Sequence, residues 1–165
     1  MPQTAALLER CQQGDDLAWE ALIREYQGRV YGLAVHYVRD REEARDLAQE
    51  AFVRVYRGLG TFDGRHPFTS WILMVTRNLC IDHLRRRKVR PPASDVPADA
   101  DAPIASAGSS PEEHVARTGR RALLYRALHR LTPINREIVL LKEIQGLSLD
   151  EIAAVLEVPV GTVKS

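Results

Sequence analysis

A segment with no means of building a core divides this chain. Residues 89–111, VRPPASDVPADADAPIASAGSSP, are dominated by Pro, Ala, Asp, Ser and Gly and show no hydrophobic periodicity. Such a composition buries too little apolar surface to offset the entropy of ordering it, so an extended, mobile linker is expected there. The chain should therefore be all-α in two small helical domains: a four-helix lobe over residues 1–90, a linker over 91–111, and a helix-turn-helix lobe over 112–165.

In the first lobe a short helix over residues 5–13 leads to Gly14-Asp15-Asp16, where Asp16 is placed to cap a long helix running to about residue 37. Ala18, Leu22, Tyr26, Val30 and Leu33 form its inner stripe. Asp40 with Glu43 reads as a capping box opening a third helix. Its inner face is Ala44, Leu47, Ala48, Ala51, Phe52, Val55 and Leu59, and Gly58 and Gly60 end it. A loop over 61–67 precedes a fourth helix over 69–88, with Ile72, Val75 and Leu79 facing inward. Helices of this length can close around one core.

The second lobe should begin near Pro111 with a helix carrying Val115, Leu123, Leu124, Ala127, Leu128 and Leu131, broken at Thr132-Pro133. A helix over 135–144 ends at Gly146. Ser148 and Glu151 form a capping box for another helix, with Ile152, Ala153 and Leu156 inward. Pro159 then opens a last helix that the chain leaves partway through at Ser165. LSLDEIAAVLEVPVGTVKS thus has the layout of a helix-turn-helix: a capped short helix, a tight turn at Glu157-Val158-Pro159, and a second helix with Val163 inward. Thr162, Lys164 and Ser165 then face outward, able to reach phosphates and base edges. A structural helical hairpin in a small bundle is the plainer reading of the same pattern.

The net charge of +1 hides its distribution. Residues 1–92 hold fifteen basic and twelve acidic side chains, and the linker region adds three Asp and no cation. Arg85, Arg86, Arg87, Lys88 and Arg90 cluster at the end of the fourth helix, either as a phosphate-contacting patch or as a solvated helix end that offsets the dipole. On that helix Asn78, Asp82 and Arg85 share a face, with Arg77 adjacent; Asn and Arg suit base edges. The loop Phe62-Asp63-Gly64-Arg65-His66-Pro67-Phe68 combines groups suited to unpaired bases. Its two Phe, like Trp71, are expected to anchor it in the core, leaving Asp63, Arg65 and His66 as the functional candidates. On the third helix Asp46, Gln49, Glu50 and Val53 form an outer stripe extended by Arg54 and Arg57; such a stripe is usually solvated, but Val53 hints at a protein partner.

Other function classes find little support. Cys11 and Cys80 lie far apart without a CxxC, and the five histidines are scattered, so neither a metal site nor a cofactor is expected. Both cysteines read as small buried residues in a reducing cytoplasm. No run is long and apolar enough to insert in a membrane. Paired carboxylates and nucleophile–base sets do not stand out either, so no catalytic residues are assigned and no enzyme is expected.

DREEARDLAQEAFVRVYRGL, then TFDGRHPFTSWILMVTRNLCIDHLRRRK, then the Pro-rich segment, then LHRLTPINREIVLLKEIQGLSLDEIAAVLEVPVGTVKS together closely resemble the extracytoplasmic-function sigma factors of bacterial RNA polymerase. The resemblance covers nearly the whole chain, with several motifs in the family's order. It implies a promoter-specificity subunit that directs transcription initiation in a stress or envelope response. Asp46, Gln49, Glu50, Val53 and Arg54 would contact the clamp helices of the polymerase's largest subunit, with the flap region as a further docking partner. Asp63, Arg65, His66, Arg77, Asn78, Asp82, Arg85, Arg86 and Lys88 would take the −10 non-template strand, where a flipped-out base is captured. Thr162, Lys164 and Ser165 would read the −35 duplex, through a recognition helix expected to be incomplete because the family continues past GTVKS. The linker, with Asp95, Asp99 and Asp101, resembles the segment that threads toward the RNA exit channel. The family also implies an anti-sigma factor as a partner, which would hold an otherwise cytoplasmic protein at the membrane. The competing reading is a helix-turn-helix regulator of duplex operators, against which stand the outer stripe, the loop and the lack of a dimerising heptad.

Overall fold

A computed structural model describes residues 2–89, 123, 126–128 and 130–164, and every regular element among them is helical. The expected linker at 91–111, the start of the second lobe with Val115 and Leu124, and Ser165 lie outside the described residues. The first lobe comprises α1 (Pro2–Gln12), α2 (Asp16–Val38), α3 (Arg41–Gly58), a short 3₁₀ turn (Leu59–Thr61) and α4 (Phe68–Val89). The second holds α5 (Pro133–Val139), continued by a π-helical stretch (Leu140–Ile144), then α6 (Leu149–Leu156) and α7 (Val160–Lys164).

Helix starts follow from side chains that satisfy the first free N–H groups. Asp15, not Asp16, caps α2: it takes the extended backbone (φ −76°, ψ 107°) and accepts from the N–H groups of Leu17 and Ala18 at 3.0 and 3.2 Å. Arg10 leans on the same carboxylate at 2.7 Å, and this contact, with the Ala18 N–H, holds the Asp15 carboxyl below the usual carboxylate range. Asp40 caps α3 by accepting from the Glu43 N–H at 2.8 Å. The Glu43 carboxylate, expected to return that bond, is engaged across the bundle by Arg87 at 3.2 Å, with the His83 ring 3.5 Å away. In the second lobe Thr132 caps α5 with Pro133 in its first turn, Gly146 (φ 69°) closes the π stretch, and Ser148 with Glu151 forms the complete capping box of α6.

The expected inner stripes are buried: Leu22, Val30, Ala44, Ala51, Val55 and Ile72 are fully enclosed, with Leu33, Leu47 and Leu79 nearly so. Val75 and Phe52 are half-buried, and Leu123, read from the sequence as part of a helical lobe, is 65% exposed. The buried Thr76 hydroxyl donates to the Ile72 carbonyl at 2.8 Å, which removes the cost of an unpaired polar group.

The two lobes do not stand apart. Helix α6 packs on α4, and Leu141, Leu147, Ile152, Ala153, Val155, Leu156 and Val163 join the first lobe's core in one apolar cluster. Leu22→Ala should lower the free energy of unfolding by about 2–5 kcal/mol, and Ser148→Ala by about 1 kcal/mol, in urea titrations followed by far-UV circular dichroism.

Candidate nucleic-acid interface

The outer stripe of α3 is formed by geometry alone. With Ala44, Leu47, Ala48, Ala51 and Val55 inside, Asp46, Gln49, Glu50 and Val53 must face outward, and all four are exposed. Arg54 is half-buried and lies 3.3 Å from Glu50, an i,i+4 pair of small energetic worth. Val53 is 41% exposed, and the stripe continues three residues on to Tyr56, 62% exposed, with its ring tilted on Trp19 at 4.8 Å. Tyr56 is absent from the sequence-derived set, although the 49, 53, 56 spacing already placed it on the same face. A valine and a tyrosine side by side in a polar stripe form a small apolar foothold.

The loop after α3 is fixed from beneath by rings. Phe62, Phe68 and Trp71 meet at centroid distances of 5.3–5.7 Å, and Phe68 also packs edge-on against Tyr26 at 5.1 Å. Phe68 belongs to the core as expected, whereas Phe62 and Trp71 are half-buried and pack against it. Above them Asp63, Arg65 and His66 are exposed. Asp63 accepts from the Arg65 N–H at 3.0 Å and pairs with its guanidinium at 3.0 Å, and Gly64 supplies the left-handed turn (φ 71°). Asp63 thus shapes the loop, and Arg65, 82% exposed, projects from it.

The α4 residues divide. Arg85, Arg86 and Lys88 are exposed on the last two turns, with Asp82 3.9 Å from Arg85. Asn78 is half-buried. Arg77 turns away from this group: its Nε and Nη2 donate to one carboxylate oxygen of Glu137 at 3.2 and 3.0 Å, and Tyr37 donates its hydroxyl to the other. Burial works to lower the Arg77 pKa, but the Glu137 hydrogen bond and charge outweigh it and hold the guanidinium firmly protonated. Burial, and then the Glu137 charge, push the Tyr37 phenol well above its ordinary value.

In the helix-turn-helix, α6 closes through bonds from the N–H groups of Glu157 to Ala154 O (3.4 Å) and Val158 to Ala153 O (3.1 Å), the Schellman pattern. Glu157 sits in the left-handed region (φ 56°), where glycine is usual. The turn leaves Val163 buried and Thr162 and Lys164 exposed, as the sequence pattern required; Ser165 is not among the described residues. No group of His, Cys, Asp or Glu among the described residues is arranged to hold a metal.

Burial pushes the Cys80 thiol up to about 12, and burial with the nearby Asp15 charge raises Cys11. Thiolate is the reactive form, so both should resist iodoacetamide at pH 8 in the native chain and be alkylated only in urea, as read by mass spectrometry.

Residues 22–90 match the family model of sigma-70 region 2, and residues 121–165 that of sigma-70 region 4. The chain is 39% identical to the RNA polymerase sigma-H factor of Pseudomonas aeruginosa, over 99% of its own length and 87% of that protein's. It is 36% identical to the ECF RNA polymerase sigma-E factor of Escherichia coli K12, over 96% and 85%. Among solved structures it is similar in fold to CnrH in complex with the cytosolic domain of CnrY (TM-score 0.66, 22% identity, 96% of this chain and 86% of that one). It is also similar to RpoE in complex with the anti-sigma factor NepR from Bartonella quintana (TM-score 0.65, 19% identity, 88% and 86%). With both regions present in order and identity sustained along the chain, the protein belongs to the extracytoplasmic-function subfamily of RNA polymerase sigma factors, which act in transcription initiation.

Proposed function

We infer that this sigma factor docks on core RNA polymerase through the outer stripe of α3 and opens promoter DNA with the loop and outer face of α4. The observation that carries the reading is the alternation on α3. One face is spent entirely on the core, while Asp46, Gln49, Glu50, Val53 and Tyr56 stand free of it on the other. Acidic groups around an apolar foothold suit a basic helical partner, here the clamp helices of the largest polymerase subunit, with the second lobe reaching the flap region.

Strand capture falls to the loop and α4. Arg65 and His66 project from a loop pinned by rings, and the exposed Arg85, Arg86 and Lys88 offer phosphate contacts that Asn78 complements at a base edge. Extruding a base costs a few kcal/mol of stacking, which contacts made only to the single strand offset. Thr162 and Lys164 on α7 supply the −35 contacts. The two domains are residues 1–90 and 112–165, joined by the linker, and the work is promoter selection rather than catalysis. It takes place in the cytoplasm beside the polymerase; no described helix is long and apolar enough to cross a membrane. An anti-sigma factor covering the exposed α3 stripe is the regulatory partner, in keeping with the solved neighbour held by NepR.

Asp46→Arg with Glu50→Arg should abolish association with core polymerase in a pull-down while circular dichroism stays native; retained association overturns the docking assignment. Asn78→Ala should reduce permanganate-detected opening of a −10 sequence at least tenfold while duplex affinity changes less. Unchanged opening makes Asn78 a packing residue only.

A further inference from the structure

Three side chains from three helices meet where the lobes touch: Tyr37 of α2, Arg77 of α4 and Glu137 of α5. Glu137 lies 60 residues from Arg77 and 100 from Tyr37, so nothing local demands the contact. The Arg77 and Glu137 side chains are only 17% and 16% exposed, and both carboxylate oxygens are used. A second polar tie joins α2 to the second lobe: the Gln145 amide donates to the Arg29 carbonyl at 3.4 Å, and the Arg29 guanidinium donates to the Gln145 carbonyl at 3.4 Å. Arg77 directly precedes Asn78, and Arg85, two turns further along α4, lies on the exposed run.

We propose that Tyr37, Arg77 and Glu137 form a latch that keeps the second lobe seated on the first and withholds Arg77 from single-stranded DNA until it is released. The inference rests on the reading of α4 as the strand-binding helix. Its chemistry is a partner exchange. A guanidinium that donates two N–H groups to a carboxylate can donate the same two to a phosphate, so Glu137 and a strand phosphate compete for one cation. Lobe opening and strand binding are then linked. Whatever weakens the Glu137 contact strengthens strand binding, and bound strand favours the open chain by the same factor. Tyr37 lies against both Arg77 and Glu137, and the bond its hydroxyl donates to Glu137 exists only in the closed state.

The test uses the full chain with a donor–acceptor dye pair on Arg24→Cys and Glu143→Cys, both exposed positions in opposite lobes, while Cys11 and Cys80 are buried. Strand affinity is read by anisotropy of a labelled dodecanucleotide of random sequence, since a phosphate contact carries no base preference. Glu137→Gln should lower energy transfer and tighten strand binding by about fivefold or more, with Tyr37→Phe moving both readouts the same way by less. The exchange Arg77→Glu with Glu137→Arg should return energy transfer toward that of the unsubstituted chain while strand affinity falls below it, because the pair is restored but the cation has left α4. Circular dichroism excludes unfolding as the cause of either change. If Glu137→Gln leaves transfer unchanged, or opens the lobes with no gain in affinity, the latch is overturned. Failure of every chain to bind the strand instead overturns the reading of α4, and the transfer signal tells the two failures apart.

Discussion

The fold turns on how much of α4 is spoken for. This one helix packs against α2 and α3 within its own lobe and against α6 of the other. Phe68, Ile72, Leu73, Thr76, Leu79 and Cys80 are buried along it, a face too broad for an ordinary surface helix. Each large apolar side chain enclosed there contributes roughly 1.5–3 kcal/mol. The loop before it inherits its position from the same burial, because Phe68 opens the helix and Phe62 and Trp71 close over it. The outer stripe of α3, the loop over 62–67 and the basic end of α4 are therefore held in one frame by this packing.

The charges at the end of α4 do several jobs. Arg87 reaches back to Glu43 and so ties α4 to the first turn of α3. Exposed pairs of this kind are worth about 0–1 kcal/mol, so the tie orients more than it stabilises. Arg86 and Lys88 remain exposed beyond it, and Arg85 is held only loosely by Asp82. A polyanion meets these cations first, and the binding they give falls steeply with salt. Arg77, further up the helix and enclosed, belongs to a different regime, in which geometry and the identity of the partner matter more than screening.

What could be read from the sequence was what is decided within a few residues. The Ser148–Glu151 capping box, the Thr132-Pro133 break, the stop at Gly146, the outward Thr162 and Lys164 and the inward Val163 all depend on spacings of one helical turn, and the structure has each of them. The first lobe's inner stripes follow from the same period. Errors of one step arose where two equivalent groups stood side by side: Asp15 and Asp16 can both cap, and the choice fell to the residue with extended backbone, further held by Arg10. Contacts across the fold were illegible for a different reason. Glu43 follows a cap pattern, yet its carboxylate answers to Arg87, 44 residues away. Arg77 looks like one more cation of a DNA-facing helix until Glu137 arrives from the other lobe. Periodicity says which face a residue occupies; it does not say which other face will meet it.

That meeting combines two kinds of contact with different tolerances. The apolar packing of α6 on α4 is non-directional and degrades gradually as surfaces separate. The polar contact among Tyr37, Arg77 and Glu137 holds only in one arrangement, because two N–H groups must converge on one oxygen while a hydroxyl takes the other. Pairing enclosed charges adds little net stability, since desolvation offsets most of the attraction. Removing one partner while the lobes stay closed is costly, because it leaves the other charge enclosed and unpaired. A surface built this way resists opening in isolation, yet yields at small net cost to a ligand that supplies an equivalent anion. Once the lobes part, water can solvate both groups, and a phosphate that takes its place on Arg77 restores a charge-assisted pair. Nucleic acid carries such a phosphate at every nucleotide, which suits the Arg77–Glu137 pair to the gating proposed for it beside the proposed strand-binding face of α4.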